Sequence, residues 1–415
     1  MKEIYGLNLF IRHNIFGNLS KSLTSKSSLF WTIYLPSFLL TFSISLLIPI
    51  LPSFIKQMNV GVGLIGLGIS AVLIGNMLFD VPVGLIISKQ GKKRSMFLGT
   101  LLMIAFPLLI VINDNFSIFF ILRFFVGGAI ALWSISRMSY VAHLVPVNNR
   151  GRVLATLGGV HRIGMFFGPV IGGIVGASLG FNSVFILQSV ICFFTLFIII
   201  FIVKEDSDLE IDMDTQNEIK LSFFNLIKSQ GRVLLIAGSA AVVLNFVRKS
   251  KEIVIPLWGT YLNLGVDEIG LIIGAAAAVD LIMFVPAGIV MDKWGRKLMS
   301  VPSCIFFAFG FILLPLSNDV TTFTLVSLLT GFANGLGSGS LMTLGTDLAP
   351  KLNTGEFLGV WRLMGDMGAA SGPIFVGQIA IVSLSLSSIL VALFSLAGAF
   401  LFIFGVPETL KKVKD

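Results

Sequence analysis

Apolar runs long enough to cross a lipid bilayer recur along this chain, and no other feature limits its fold so severely. Twelve are read, at 30–52, 62–87, 95–113, 117–143, 153–178, 183–203, 232–262, 268–291, 298–316, 321–347, 356–378 and 384–405. A spanning helix needs roughly 20 consecutive apolar residues. Spanning barrel strands need only about 10 and alternate in polarity, so these runs predict helices. Composition agrees. Of 415 residues, 55% are apolar and 12% charged, and the mean hydropathy is +0.96. An ordinary soluble chain is roughly 25% charged. So little charge cannot clothe so large an apolar mass in water, and lipid must cover much of the surface.

Lysine and arginine set the expected orientation. With the N-terminus inside, the cytoplasmic segments hold 21 of these residues and the external loops only Lys56. Loops rich in Lys and Arg stay in the cytoplasm, so both termini are expected there, with the protein in the cytoplasmic (plasma) membrane. The net charge of +8 then reflects topology and anionic lipid, and no nucleic-acid partner is needed. Residues 1–29 are polar and basic without a cleavage-type signal and read as a cytoplasmic extension. Cys192 and Cys304 fall inside apolar spans and offer neither a disulfide framework nor a metal site.

One long polar stretch interrupts the spans. Residues 204–231 carry Glu205, Asp206, Asp208, Glu210, Asp212, Asp214 and Glu218, the pattern of a solvated linker. It separates six spans at 30–203 from six at 232–405, and 406–415 form a tail. The halves resemble each other at a fixed offset of 204 residues. The offset relates Pro52 to Pro256, Asn59 to Asn263, Gly66 to Gly270, Pro82 to Pro286 and Gly91 to Gly295, and it still holds at Gly168/Gly372 and Pro169/Pro373. Six spans per repeat give both halves the same orientation, with an axis along the membrane normal and a path between them.

The loop after the eighth span reads Gly288-Ile-Val-Met-Asp292-Lys293-Trp-Gly295-Arg296-Lys297. It resembles the G-x-x-x-D-[RK]-x-G-[RK]-[RK] signature of the major facilitator superfamily. The first-half copy, from Gly84 through Ser88 and Gly91 to Lys92 and Lys93, places Ser88 where the acid normally stands. Gly84 and Gly288 are expected to let neighbouring helices approach closely, and Gly91 and Gly295 to permit tight turns. Asp292 is expected to pair with the basic residues or with a neighbouring helix end. The fifth span carries Gly164, Gly168, Pro169, Gly172 and Gly173. This is similar to the G-x-x-x-G-P-x-x-G-G pattern of exporters in the superfamily. Pro49 and Pro52 in the first span, and Arg123 followed by Gly127 and Gly128 in the fourth, resemble elements of twelve-span drug:proton antiporters. The resemblance implies an all-helical fold of two six-helix bundles working by alternating access. It also implies a small-molecule substrate, protons as coupling ion, a monomer and no cofactor. The first span lacks the acid that several such antiporters place there.

A charge at mid-membrane costs roughly 3 kcal/mol, so intramembrane charges are candidate functional groups. Here they are Asp80, Arg123, Arg137, Arg162, Arg248, Lys249, Lys251, Glu252, Asp280, Arg362 and Asp366, with His161 as a titratable neighbour. Each could instead be a satisfied interhelical pair that holds the bundle together. Asp80 and Arg362 lie about 12 and 9 Å from their helix ends, and Arg162 and Asp280 about 14 and 17 Å. The resemblance sets spans 2 and 11, and spans 5 and 8, side by side. Asp80–Arg362 and Arg162–Asp280 are therefore expected as cross-domain pairs, with Arg362–Asp366, four residues apart, as the rival. Asp80 and Asp280 are the candidate proton carriers and Arg123 a candidate coupling charge. Trp31, Phe38, Met138, Trp258 and Trp361 are candidates to line a pocket.

The reading is proton-coupled efflux of a small amphipathic molecule, with a proton-coupled importer as the alternative. A membrane enzyme would want clustered His, Cys or carboxylates, and the three His residues form no metal spacing. No Gly-Lys-Ser/Thr phosphate loop is found.

Overall fold

The structure, a computed structural model, describes residues 26–203, 230–350 and 354–410. Residues 1–25 of the N-terminal extension, 204–229 of the linker and 411–415 of the tail lie outside the described residues. Among the described residues there is no strand. Among the described residues twelve helical segments follow one another from Phe30 onward. They are α1 (Phe30–Ser45, continued after a bend by Leu51–Gln57), α2 (Val62–Gln90), α3 (Lys92–Val111), α4 (Phe116–Leu144), α5 (Val147–Leu179) and α6 (Phe181–Phe201). Then come α7 (Gln230–Tyr261), α8 (Val266–Trp294), α9 (Lys297–Leu316), α10 (Val320–Leu348), α11 (Thr354–Ala380) and α12 (Leu384–Gly405). Ten are long and apolar enough to cross a membrane. The apolar part of α1 is shorter, and Glu356, Arg362 and Asp366 dilute α11.

The repeat extends to local geometry. Asn59 and Asn263, in the turns after α1 and α7, are the two non-glycine residues with positive φ among the described residues, at 56° and 59°. Asn tolerates that region because its side chain can bond locally. Asn115 and Asp319, again 204 apart, cap α4 and α10 by accepting N–H bonds from the first helical turn. Wide five-residue turns at Phe30–Tyr34 and Leu234–Gly238 match at the same offset. Gly91 and Gly295 end α2 and α8 with φ of 83° and 113°, which only glycine adopts without strain.

Packing repeats as well. Helix α1 lies on α5 and α6 as α7 lies on α11 and α12. Helix α4 packs on α2 and α3 as α10 packs on α8 and α9. The halves join where α5 meets α8 and, equivalently, where α11 meets α2. At the end bearing Asn59 and Asn263 these joints are backbone to backbone. A methyl on Gly66 would overlap the Pro373 carbonyl and the Gly377 backbone, and one on Gly270 would overlap the Pro169 carbonyl and the Gly173 backbone.

Two expectations need correcting. Gly84 and Gly288 do not serve close approach here, because a methyl on either meets nothing within 4 Å, nor does one on Gly151 or Gly355. No neighbouring helix presses on these glycines. The tenth span is not one unbroken helix either. It stops at Leu336 and restarts at Ser340, with Gly339 at φ 79°. Gly335, Gly337 and Gly339 each lower helix propensity by about 1 kcal/mol, and together they break it. The first-half equivalent in α4 lacks these glycines and runs through.

Candidate functional site

A two-lobed cavity lies between the halves. One lobe, about 220 Å³, is walled mainly by α5, α7, α8 and α10, and the other, about 150 Å³, by α1, α2, α4 and α5. Ile48, His161, Met165, Lys249 and Glu252 belong to both walls. The lobes are the same site written twice. Ile44, Ser45, Ile48, Leu51, Ile69, Val72, Leu73 and Arg123 line the smaller lobe. Their mates at the 204 offset, Arg248, Lys249, Glu252, Ile255, Ile273, Ala276, Ala277 and Ser327, line the larger one. The chemistry diverges on this common frame: Ile44, Ser45 and Ile48 stand where the second half has Arg248, Lys249 and Glu252, while Arg123 stands where it has Ser327.

Asp280 of α8 sits in the larger lobe, 6% exposed. Its Oδ1 lies 3.6 Å from Arg162 Nε of α5, so the charges meet across the halves. Asn334 donates to its Oδ2 at 3.0 Å. Arg162 also donates to the Ser338 hydroxyl (2.6 Å) and the Gly158 carbonyl (3.0 Å), and its guanidinium rests over Phe284, 4.1 Å from the ring centre. Ser338 can give its single proton to Asp280 Oδ1 (3.1 Å) or to the Asn334 carbonyl (3.0 Å). Ser338 lies at the glycine break of α10, so that break helps build the site.

Helix α7 supplies four charges within five residues. Lys249 Nζ pairs with Glu252 at 2.6 Å, one turn apart. Arg248 therefore does not take Glu252 despite the i,i+4 spacing. It donates instead to the Gly337 carbonyl at 2.5 Å, again at the break in α10. Lys251 lines the larger lobe, and Arg123 of α4, 6% exposed, lines the smaller one. His161 joins Thr41 through Nδ1 at 2.9 Å where the lobes meet.

The second cross-half cluster lies away from both lobes. Arg362 Nε is 3.0 Å from Asp80 of α2 and 3.6 Å from Asp366 of its own helix, so one guanidinium serves both carboxylates. Arg137 donates to Ser37 and stacks over Trp133.

The aromatic candidates line neither lobe. Trp31 and Met138 point outward and are exposed. Trp258 and Trp361 are buried, their indole N–H groups donating to the Ser317 and Leu341 carbonyls, and Phe38 stacks on Phe42. Gly164, Gly168 and Gly172 of α5 press against the α1 backbone near Phe42, Ser45 and Leu46, while Pro169 and Gly173 meet α8. The exporter-like residues thus bind α5 to two helices at once.

The signature loop works within its half. Arg296 Nε binds Asp347 at the end of α10 at 2.8 Å. Asp292, with its side chain 72% exposed, lies 3.9 Å from Arg296. The Glu408 carboxylate accepts from the backbone N–H of Arg296 (3.0 Å) and Lys297 (3.1 Å). Partial burial raises the Glu408 pKa, but four backbone N–H donors outweigh it and hold the carboxyl below its usual range. Lys297 and Lys93 each reach a carbonyl near the end of the last helix of their half, Ile403 and Ile200. Lys92 is buried and Lys293 exposed. Ser88 bonds only its own helix, at Leu85, among the described residues.

Asn334, Ser338, Asp347 and Glu408 were not singled out in the sequence. A polar, glycine-rich run inside a span was the available sign for the first two.

Comparison with known proteins follows the same lines. The Major Facilitator Superfamily matches residues 33–253 and again 239–415. Over 318 residues the chain is 26% identical to Multidrug resistance protein 2 of Bacillus subtilis (strain 168), covering 76% of this chain and 78% of that one. It is 30% identical over 174 residues to the Multi-drug resistance efflux pump PmrA of Streptococcus pneumoniae serotype 4 (strain ATCC BAA-334 / TIGR4), covering 41% and 43% of the two chains. Among solved structures, a POT family transporter in complex with a thioalcohol-conjugated peptide superposes with TM-score 0.77 at 14% identity, covering 91% of this chain and 96% of the other. At that identity the likeness is one of fold.

Proposed function

The chain belongs to the major facilitator superfamily, and from that premise we propose that it exports a small amphipathic molecule against inward proton flow, with Asp280 as the proton carrier. The two relatives named as multidrug resistance proteins support export. One observation carries the coupling. Asp280 is a buried carboxylate in the cavity whose counter-charge, Arg162, sits on the opposite half. Protonation removes the ionic attraction between the halves at this pair. Ser338 also has the Asn334 carbonyl as an acceptor, so it can let go of Asp280 without losing a partner. Emptying or filling the cavity would bias the same joint, which is what alternating access requires. One chain holds both lobes, which supports a working monomer. The lysine and arginine asymmetry supports cytoplasmic termini in the plasma membrane.

The test is reconstitution of the full chain in vesicles with an internal pH dye. Outward substrate flow should acidify the interior. Asp280→Asn should abolish that acidification and keep downhill exchange. Full acidification in Asp280→Asn, or substrate flux without proton movement in the unaltered protein, would remove the proposal.

A further inference from the structure

We propose that the molecule carried is an amphipathic organic anion, its charged head held by Arg248 and Lys251 and its apolar body lodged in the smaller lobe. The inference rests on reading the cavity as the transport path. Five cations and two carboxylates line the two lobes. Two of those cations are already answered, Arg162 by Asp280 and Lys249 by Glu252. Among the described residues, Arg123, Arg248 and Lys251 have no carboxylate within 4.0 Å. Arg123 is almost wholly buried and its Nε has no hydrogen-bond partner among the described residues, nor has that of Arg248. Arg248 has one backbone carbonyl, at Gly337. Buried charges in proteins are ordinarily paired, and an unpaired one between apolar helices is costly enough to mark a function. Arg123 lines the smaller lobe and Arg248 and Lys251 the larger, so an acidic ligand in the cavity can supply the direct partner that each of them lacks.

The shape of the charge distribution specifies the rest. The repeat mates of Arg248 and Lys251 are Ile44 and Leu47, so the cations are additions to a frame that is apolar in the other half. Ile44, Ile69, Val72 and Leu73 line the smaller lobe. A ligand spanning both lobes therefore meets Arg248 and Lys251 at one end and these aliphatic side chains at the other, where Arg123 and the mutually paired Lys249 and Glu252 also line the wall. A guanidinium and an ammonium three residues apart on one helix face suit a carboxylate, sulfonate or phosphate head. A cationic drug would have to approach three positive charges that have no carboxylate within 4.0 Å.

The experiment uses three probes sharing one apolar body: 1-naphthaleneacetate, 1-naphthalenemethanol and 1-naphthylmethylammonium. Their binding to the full chain in neutral maltoside micelles is measured by equilibrium dialysis at low salt. The acetate should bind at least tenfold more tightly than the ammonium compound. Lys251→Gln should cost the acetate about tenfold and leave the alcohol unchanged, and Arg248→Lys should retain more acetate binding than Arg248→Gln. Arg123→Gln gives an independent reading should an α7 variant fail to fold. Equal or tighter ammonium binding, no binding of any probe, or acetate binding untouched in all the Gln variants would overturn the proposal. So would displacement of the acetate probe by equimolar chloride, which would mark a site for simple anions. Binding in micelles needs no proton gradient, so loss of proton coupling alone would defeat the transport reading and leave this one standing.

Discussion

Gly173 of α5 and Gly270 of α8 meet backbone to backbone across the two halves, and the repeat makes the same contact a second time with Gly377 of α11 and Gly66 of α2. Each contact also brings in the proline of the incoming helix, Pro169 on Gly270 and Pro373 on Gly66. The exporter-like run on α5 therefore has a concrete mechanical role. It brings the two halves into backbone contact at the end of the molecule that bears Asn59 and Asn263.

That contact predicts the effect of a single side chain. Gly66→Val and Gly270→Val insert bulk where the nearest atoms are backbone, which cannot rotate away. Each should cost about 1–3 kcal/mol, as overpacking does, and shift the population toward opening at that end. Spin labels on cysteines replacing the exposed Lys56 and Tyr261 should report a longer distance in each variant. Unchanged distances together with unchanged melting would show that the glycine contact does not hold the halves.

The Arg162–Asp280 pair predicts non-additivity. Removing one partner of a buried pair typically costs about 3–5 kcal/mol. Asp280→Asn and Arg162→Gln should each be destabilising, and the double variant should cost less than their sum by about 0.5–3 kcal/mol. Ser338→Ala should shrink that coupling, because the hydroxyl accepts from Arg162 and can donate to Asp280. Strict additivity in thermal unfolding of the purified chain would mean the two residues act separately.

Orientation is testable at two exposed lysines. A membrane-impermeant maleimide applied to intact cells should label Lys56→Cys and spare Lys89→Cys until the cells are permeabilised. The native Cys192 and Cys304 are buried and give little background. The reverse labelling pattern would invert the proposed topology.

Glu408 predicts an acid dependence. Its folded carboxyl lies below the ordinary 4.5, so its stabilising contribution is present above that value and is lost as pH falls through the lower folded value. The group is largely solvated, so the effect is about 1 kcal/mol or less. At pH 7 Glu408→Gln should melt slightly below the unaltered protein, and the two curves should converge under acid conditions. A gap that stays constant with pH would assign the loss to packing.

Membrane residence, twelve helices and their division into two like halves were legible in the one-dimensional pattern, because apolar length and repeat register are properties of the chain itself. The repeat even carries the symmetry of the packing, since equivalent residues make equivalent neighbours. The sequence also supplied the depths of Asp80, Arg162, Asp280 and Arg362, one coordinate of three. Which charge meets which depends on helix rotation and separation, and there the tertiary structure decided. It gave Glu252 to Lys249 and sent Arg248 to the Gly337 carbonyl. It set Asp347 against Arg296 and left Asp292 largely in solvent. It broke α10 so that Ser338 stands between Arg162 and Asp280. The aromatic candidates went to the exposed surface and the core, and the cavity wall was left to charged, polar and aliphatic groups. A side chain's partner is fixed by where two helices touch, and that contact is a property of the packed bundle that no single helix contains.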